Sequence, residues 1–204
     1  IRKEFIKPEN RARMDHFIAK INAADNKISY LSYFAADGYQ SSNLKWTKPN
    51  RLIVSGSTKE ENFPVTDNAI SKKGKGKQDC FISVFNSDDM TLEYSTLFGG
   101  SEADKVMSVN FLNNDTIVIG GTTSSADFPL TENALYSDYP VGEKTFNSGF
   151  FARKKSFVSV IDIKNSKLLY STYLGSCFLF NIYPDKSGNI SFVSESGQRA
   201  ESGM

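Results

Sequence analysis

The chain has 204 residues, enough for one or two domains with a buried core, and 39% of them are hydrophobic. Lysine and arginine total 24 against 23 aspartate and glutamate residues, and this balance argues against a nucleic-acid-binding protein. No apolar run approaches the roughly 18 residues that a membrane-spanning helix needs, and residues 1–10 are too charged for a signal peptide.

Cysteine and histidine are scarce in this sequence. Two cysteines are too few for a disulfide scaffold. His16, Cys80 and Cys177 lie far apart in the chain and lack the close spacing of zinc ligands. We therefore expect no metal and no other cofactor, while a disulfide between Cys80 and Cys177 stays open at this stage.

Three segments of the chain repeat one pattern. Each begins with an apolar stretch around a phenylalanine and reaches a tyrosine 13 residues later: Phe17 and Tyr30, Phe81 and Tyr94, Phe157 and Tyr170. The phenylalanines are 64 and 76 residues apart, and the second interval is longer because extra residues enter around 137–153. Agreement of this spacing in three copies indicates a repeat architecture.

A second motif follows in the first two copies. Residues 56–70 align with 121–135, and seven of these 15 positions are identical. The identical positions include one glycine and the pairs Phe63-Pro64 and Phe128-Pro129. The third copy has no such segment after Ser194.

Each copy predicts four short β-strands. The third strand of the first copy, 42–47, is polar and weak. The second copy predicts strands at 80–86, 92–98, 106–112 and 116–122, and the third copy at 157–162, 168–174, 178–183 and 190–194. Valine, isoleucine, phenylalanine and threonine dominate these stretches, and residues that favour turns separate them.

Four antiparallel strands in a unit of about 60 residues are typical of a β-propeller blade. We therefore predict an all-β protein with about three four-stranded blades. Residues 15–78 form blade 1, 79–154 form blade 2 with an inserted loop at 137–154, and 155–204 form blade 3 with a C-terminal tail, after an N-terminal segment at 1–14. A sandwich of 12 strands is the alternative, but a sandwich does not require a repeated sequence.

Three blades are fewer than the roughly four of the smallest usual propellers. Three explanations stay open. The blades belong to a longer propeller, several chains associate to close the ring, or residues 1–14 supply an outer strand.

The repeat resembles the SBBP repeat of bacterial β-propellers. The resemblance rests on Tyr-Ser-Thr-Leu-Phe-Gly-Gly at 94–100, on Tyr-Ser-Thr-Tyr-Leu-Gly at 170–175 and on the Gly-Thr-Thr to Phe-Pro segment at 121–129, and it spans residues 15–194. The first copy departs from the pattern, since Ala-Ala-Asp follows Phe34 in place of Gly-Gly. The resemblance implies an extracellular, cell-surface or periplasmic protein whose family has no common catalytic site.

The loops that link one predicted blade to the next are basic. The lysines and arginines there are Lys72, Lys73, Lys75 and Lys77 before Asp79, and Arg153, Lys154 and Lys155 before Phe157. In a propeller these loops lie near the axis on one face, where together they form a rim that can bind an anion such as an acidic glycan. We predict ligand binding by Lys75, Lys77, Arg153, Lys154 and Lys155.

Two other interpretations compete with a basic rim. Asp37, Glu102 and Asp104 lie in loops of the same face and can neutralise the lysines in exposed pairs. Asp37 and Asp104 also occupy comparable loops, and glycoside hydrolysis needs two carboxyl groups about 5 to 10 Å apart. Nothing in the sequence marks either aspartate as more than a turn residue.

The function that the sequence favours is a non-enzymatic binding or scaffold module. Its partner would be a protein or a glycan held on the channel face, with no nucleic acid and no membrane span. A propeller hydrolase or lyase with its site at the channel mouth is the second hypothesis. A purely structural spacer in a surface protein is the third, because fold class alone says little about function.

Overall fold

The computed structural model describes residues 16–34, 43–47, 49–60, 62–138, 155–175 and 177–196. All regular elements in these ranges are β-strands, which confirms the all-β prediction. They are β1 (His16–Asn22), β2 (Lys27–Phe34), β3 (Asn43–Thr47), β4 (Arg51–Thr58), β5 (Asp79–Asn86), β6 (Leu92–Phe98), β7 (Asp104–Phe111), β8 (Thr116–Thr123), β9 (Lys155–Asp162), β10 (Lys167–Tyr173), β11 (Cys177–Pro184) and β12 (Ile190–Ser196).

The strands form two four-stranded antiparallel sheets between two hairpins. One sheet has the order β3-β4-β5-β6 and the other has the order β7-β8-β9-β10. The hairpins are β1-β2 and β11-β12. Within each four-stranded sheet, spatial order follows chain order.

The predicted grouping of each copy's four strands into one sheet is wrong. The strands of the second copy are divided, since β5 and β6 complete the first four-stranded sheet while β7 and β8 begin the next. Gly56 of β4 pairs with Phe81 of β5, and Gly121 of β8 pairs with Phe157 of β9. The division between sheets therefore falls in the short loop at 99–103, and the long connections join strands of one sheet.

Three apolar clusters hold the sheets face to face. Strand β5 contributes side chains to two of these clusters, one on each of its faces. Phe81 and Phe85 face the β1-β2 hairpin, whereas Ile82 and Val84 face the β7–β10 sheet. A third cluster joins the β7–β10 sheet to the β11-β12 hairpin around Val118. Because the central strands bury both faces, their sequences are almost continuously apolar or small.

The sheets approach one another most closely at their first strands. β7 contacts β3, β4 and β5, and β11 contacts β7, β8 and β9. Gly120 of β8 allows this close approach, because a Cβ at this position would contact the end of the Ile182 side chain in β11. The clusters and these contacts place the β11-β12 hairpin against β8 of the preceding sheet.

The Phe-Pro segments of the repeat run along the last strand of each four-stranded sheet. The Ser95 hydroxyl of β6 donates to the Pro64 carbonyl at 2.7 Å, and the Ser171 hydroxyl of β10 donates to the Pro129 carbonyl at 2.7 Å. The backbone amide of Thr66 donates to the Ser95 carbonyl, also with an equivalent in the second sheet. These bonds occupy polar groups on an edge strand that otherwise invites pairing with another chain.

The phenylalanine of each Phe-Pro segment packs on the phenylalanine that opens the next copy. Phe63 lies 4.8 Å from Phe81 and Phe128 lies 4.3 Å from Phe157, measured between ring centroids. The two sequence motifs thus recur together because each pair is one structural contact. This packing contact accounts for the recurrence of both motifs.

Candidate ligand-binding cleft

Three loops meet at one end of the two four-stranded sheets, and we call residues 72–78, 99–103 and 124–127 the loop face. The amide of Asp104 donates to the Gln78 carbonyl at 2.8 Å, and the amide of Ser124 donates to the Ala103 carbonyl at 3.0 Å. Gly76 permits the close approach of the first two loops, since a Cβ there would collide with the carbonyl oxygens of Gly100 and Glu102. As predicted, the loop that carries Lys75 and Lys77 shares one face with the loop that carries Glu102.

Asp104 ties two of the loops together from the inside. Its side chain is fully buried, and it accepts hydrogen bonds from the Gly100 amide at 2.7 Å and the Ser125 hydroxyl at 3.0 Å. Burial raises the pKa of Asp104 to about 6, and the negative charge of Asp79 adds to the effect. This carboxylate organises backbone and does not face solvent.

Asp79, the first residue of β5, holds the third loop in a similar way. It accepts a hydrogen bond from the Gly76 amide at 3.1 Å, and burial raises its pKa. A Cβ on Gly99 would lie 2.7 Å from the Asp79 carboxylate and 2.6 Å from the Asp104 carboxylate. Both acids therefore flank the Gly99 backbone, and only a glycine leaves room between them.

A polar cleft opens beside Asp79 and encloses about 410 Å³. Its walls come from the end of β4 and from the loop before β5. Three lysines line it: Lys59, Lys73 and Lys75. Glu60 and Asn62 line the same space, so the cleft combines cationic groups with side chains that accept and donate hydrogen bonds.

The structure describes three of the five predicted binding residues, and these three lie in different surroundings. Lys75 lines the cleft, and Lys77 lies on the loop face, where its ammonium group is 2.6 Å from the carboxylate of Glu102. Lys155 is buried as the first residue of β9 and is therefore not a surface cation. Arg153 and Lys154 lie outside the described residues, as does most of the inserted loop, 139–154.

Sequence reasoning missed two parts of the cleft. Lys59 and Glu60 follow β4 directly, and their only sequence signal is a charged pair after the Gly-Ser-Thr motif. The Lys77–Glu102 pair, in contrast, was foreseen as the competing interpretation of the basic loops. It is an exposed ion pair, the kind that contributes little to stability.

The other residues singled out in the sequence do not line the cleft, or they lie outside the described part of the chain. Asp37 lies outside it, and His16 begins β1. Cys80 and Cys177 are both free thiols, so they form no disulfide with each other. Burial strongly raises the pKa of the Cys80 thiol, and nearby Asp104 and Asp79 add to the effect.

The stretches at 86–89 and 113–115, rich in aspartate and asparagine, connect adjacent strands, in agreement with the turn-favouring residues that separate the predicted strands. The Asn86 side chain accepts a hydrogen bond from the Asp88 amide at 2.8 Å, and the Asn113 side chain accepts one from the Asp115 amide at 2.9 Å. Across the described ranges, no three histidine, cysteine, aspartate or glutamate side chains come together as a potential metal site.

Arg51 links elements at the end of the sheets away from the loop face. Its guanidinium lies 2.8 Å from the carboxylate of Glu93 and 3.0 Å from that of Asp115. Glu93 belongs to the same sheet and Asp115 to the β7–β8 turn of the next one. Sequence analysis did not single out this arginine, because its two partners lie 42 and 64 residues away.

Comparison with protein-family models and with curated proteins finds no match to this chain. Among the described residues, no helix is long and apolar enough to cross a bilayer.

Proposed function

We propose that this chain builds part of a β-propeller of the SBBP-repeat type and works as a non-enzymatic, exported or surface-associated binding module. The architecture is supported by two four-stranded antiparallel sheets stacked face to face, with β3, β7 and β11 on the side where the sheets approach most closely. The location is supported by the repeat resemblance. The ligand is an acidic glycan held in the cleft between Lys59 and Lys75.

The observation that carries the proposed ligand is the composition of the cleft. Lys59, Lys73 and Lys75 line a space of about 410 Å³, a volume within the usual range of ligand sites. Glu60 and Asp79 reduce the local positive charge, so the site suits a polymer with a single carboxylate on each sugar, such as a uronic-acid glycan. Asn62 adds an amide group that can form hydrogen bonds with sugar hydroxyls.

A hydrolytic function has less support at this site. Glycoside hydrolysis needs two carboxyl groups that both reach the sugar. Glu60 and Asp79 both line the cleft, but Asp79 is only 4% exposed and accepts a hydrogen bond from the Gly76 amide. Asp104 is fully buried, and its carboxylate is engaged by Gly100 and Ser125. Both aspartates therefore hold the loops in place, and binding is the better-supported function.

The test is a titration with fluorescently labelled oligogalacturonate and with a neutral galactan oligosaccharide of equal length. We expect binding of the acidic probe only, with affinity that falls as salt rises. Lys73→Ala combined with Lys75→Ala should weaken binding about tenfold or more. Lys164→Ala combined with Lys186→Ala removes the same charge from two exposed turns and should leave binding unchanged.

Two outcomes contradict the proposed ligand. One is that neither labelled saccharide binds the unaltered protein at any salt concentration. The other is that the control double variant loses as much affinity as the cleft variant, which would show that net charge alone governs the interaction.

A further inference from the structure

The loop that follows β4 and the loop that follows β8 begin in the same way. The amide of Glu60 donates to the Thr58 hydroxyl at 3.0 Å, and the amide of Ser125 donates to the Thr123 hydroxyl at 2.9 Å. These residues are also paired in the alignment of the first two repeat copies. The wall of the cleft that β4 and its loop supply therefore has a counterpart in the second four-stranded sheet.

Strands β6 and β10 are anchored alike where they approach these loops. The amide of Leu97 donates to the Ser71 carbonyl at 3.1 Å, and the amide of Tyr173 donates to the Tyr136 carbonyl at 3.2 Å. Both residues stand three positions after the tyrosine that recurs in the repeat. Leu97 and Tyr173 therefore hold equivalent positions in the two sheets, and the difference between them is the side chain.

The Tyr173 side chain spans the space between β10 and the loop after β8. It is fully buried, and its ring centroid lies 6.3 Å from that of Phe128. Its hydroxyl donates to the Ser125 carbonyl at 2.9 Å, and the Ala126 carbonyl is a second acceptor at 3.2 Å. In the second sheet, the place that corresponds to the cleft is thus occupied by a side chain of the protein itself.

Leu97 leaves the corresponding space open in the first sheet. Its side chain belongs to the apolar cluster beneath the cleft and lines the cleft together with Thr58 and Glu60. A leucine side chain is shorter than a tyrosine side chain and has no hydroxyl to donate to the carbonyls of the opposite loop. The cleft of about 410 Å³ therefore lies where a tyrosine ring would otherwise extend.

We propose that Leu97 determines which of the two four-stranded sheets binds the acidic glycan, because its short side chain leaves room for a sugar ring at the floor of the cleft. This inference rests on the proposed function, since it assigns a residue of the same cleft. Leu97 supplies an apolar surface among lining residues that are otherwise polar, charged or glycine. The C–H groups of a sugar ring can pack on such a surface while its hydroxyls and carboxylate meet the polar walls.

The first measurement compares oligogalacturonate binding by the unaltered chain and by Leu97→Tyr. The variant keeps every lysine of the cleft, and we expect its affinity to fall about tenfold or more, since the ring takes the space of the sugar. Circular dichroism and thermal unfolding show whether the variant is folded. Leu92→Tyr is the matched control, because it introduces the same side chain in β6 about 17 Å from Leu97, and it should leave the affinity unchanged.

The outcomes of this comparison separate the role of Leu97 from the proposed ligand. Unchanged affinity in a folded Leu97→Tyr variant overturns the role of Leu97 and leaves the proposed ligand in place. An equal loss of affinity in Leu92→Tyr also contradicts that role, because any added tyrosine in β6 would then have the same effect. Failure of the unaltered chain to bind the acidic probe overturns the proposed ligand, and the role of Leu97 with it.

The second measurement does not depend on the folding of the tyrosine variant. Leu97→Cys in a Cys177→Ser background is treated with methyl methanethiosulfonate, a small thiol reagent. The introduced thiol should react in the folded chain, because the cleft gives the reagent a path to it. Cys80 should stay unmodified, since it is fully buried and burial strongly raises the pKa of its thiol.

The acidic probe should then protect the introduced thiol. Oligogalacturonate at ten times its dissociation constant should slow the reaction about tenfold, whereas the neutral galactan should not slow it. Ser187→Cys, in an exposed turn, is the control whose reaction should not respond to either saccharide. A thiol at position 97 that stays unreactive in the folded chain overturns the open floor of the cleft. A reaction that oligogalacturonate does not slow overturns the contact between the sugar and this position.

Discussion

The hydroxyl of Ser95 donates a 2.7 Å hydrogen bond to the carbonyl of Pro64, and this contact joins the Tyr-Ser-Thr motif to the Phe-Pro motif of the preceding copy. The Ser95 hydroxyl also shares a 2.9 Å bond with the hydroxyl of Ser83 in the adjacent strand. All three groups lie against the outer strand of one sheet. The serine is therefore retained in the repeat to hold a covering segment in place.

Replacing this serine should destabilise the fold. Ser95→Ala leaves the Ser83 hydroxyl and the Pro64 carbonyl without their partner, and an unsatisfied buried polar group costs about 1–3 kcal/mol. Urea unfolding should show this loss of unfolding free energy. Ser187→Ala, in an exposed turn, should change it little, and equal stability of the two variants would contradict the assignment.

The adjacent glycines of β8 should differ in their tolerance of a methyl group. A Cβ on Gly121 would collide with the backbone carbonyl of Lys105 in the paired strand β7, which moves only if the sheet distorts. A Cβ on Gly120 would meet the ends of the Ile182 and Leu179 side chains, which can change rotamer.

We therefore expect Gly121→Ala to destabilise the protein more than Gly120→Ala. The melting temperatures of the two variants, measured by circular dichroism, provide the comparison. A larger loss for Gly120→Ala would show that packing of β11 on β8 constrains this strand more tightly than pairing with β7 does.

The exposed ion pair on the loop face should contribute little to stability. Lys77 and Glu102 retain 72% and 43% of their side-chain exposure, and such pairs contribute about 0–1 kcal/mol. Lys77→Ala should therefore leave urea unfolding almost unchanged and should leave oligogalacturonate affinity within about threefold, because Lys77 does not line the cleft. A loss of binding as large as that of the Lys73→Ala and Lys75→Ala double variant would contradict this prediction and extend the site across the loop face.

Local sequence patterns were sufficient to predict the strands but not their grouping. The predicted strand 92–98 matches β6, and the predicted strand 116–122 differs from β8 by one residue. The pairing of β4 with β5 depends on a contact between strands that 20 residues separate, and a periodic sequence is equally consistent with any starting strand. The repeat period therefore fixed the number of strands and left the sheet boundaries undetermined.

The positions of lysines in the sequence correctly predicted Lys75 as a cleft residue, but they wrongly predicted Lys155 as a surface residue. This lysine stands two residues before Phe157, as Asp79 stands two residues before Phe81, and both are buried at the first position of a central strand. The prediction began the strand at Phe157 and so left Lys155 in the loop. Burial of a charged residue at a strand start depends on neighbouring sheets, which sequence patterns do not reveal.

Asp104 should make stability depend on pH in the direction opposite to that of an ordinary surface carboxylate. Its pKa is raised from 3.8 to about 6 in the folded protein, so the folded state binds more protons than the unfolded state between these values. Lowering the pH through this window therefore stabilises the fold, and raising it through the window removes that stabilisation. Asp104→Asn carries no titrating group and should lack this contribution.

The measurement is urea unfolding of the original protein and Asp104→Asn from pH 4 to pH 7. The difference in unfolding free energy should move in favour of the variant as pH rises, by at most about 1.4 kcal/mol per pH unit. Asp127→Asn is the matched control, because hydrogen bonds from Ser101 lower the pKa of this exposed carboxyl and its contribution is lost as pH falls. A difference for Asp104→Asn that stays constant across the range would show that the buried carboxyl does not titrate there.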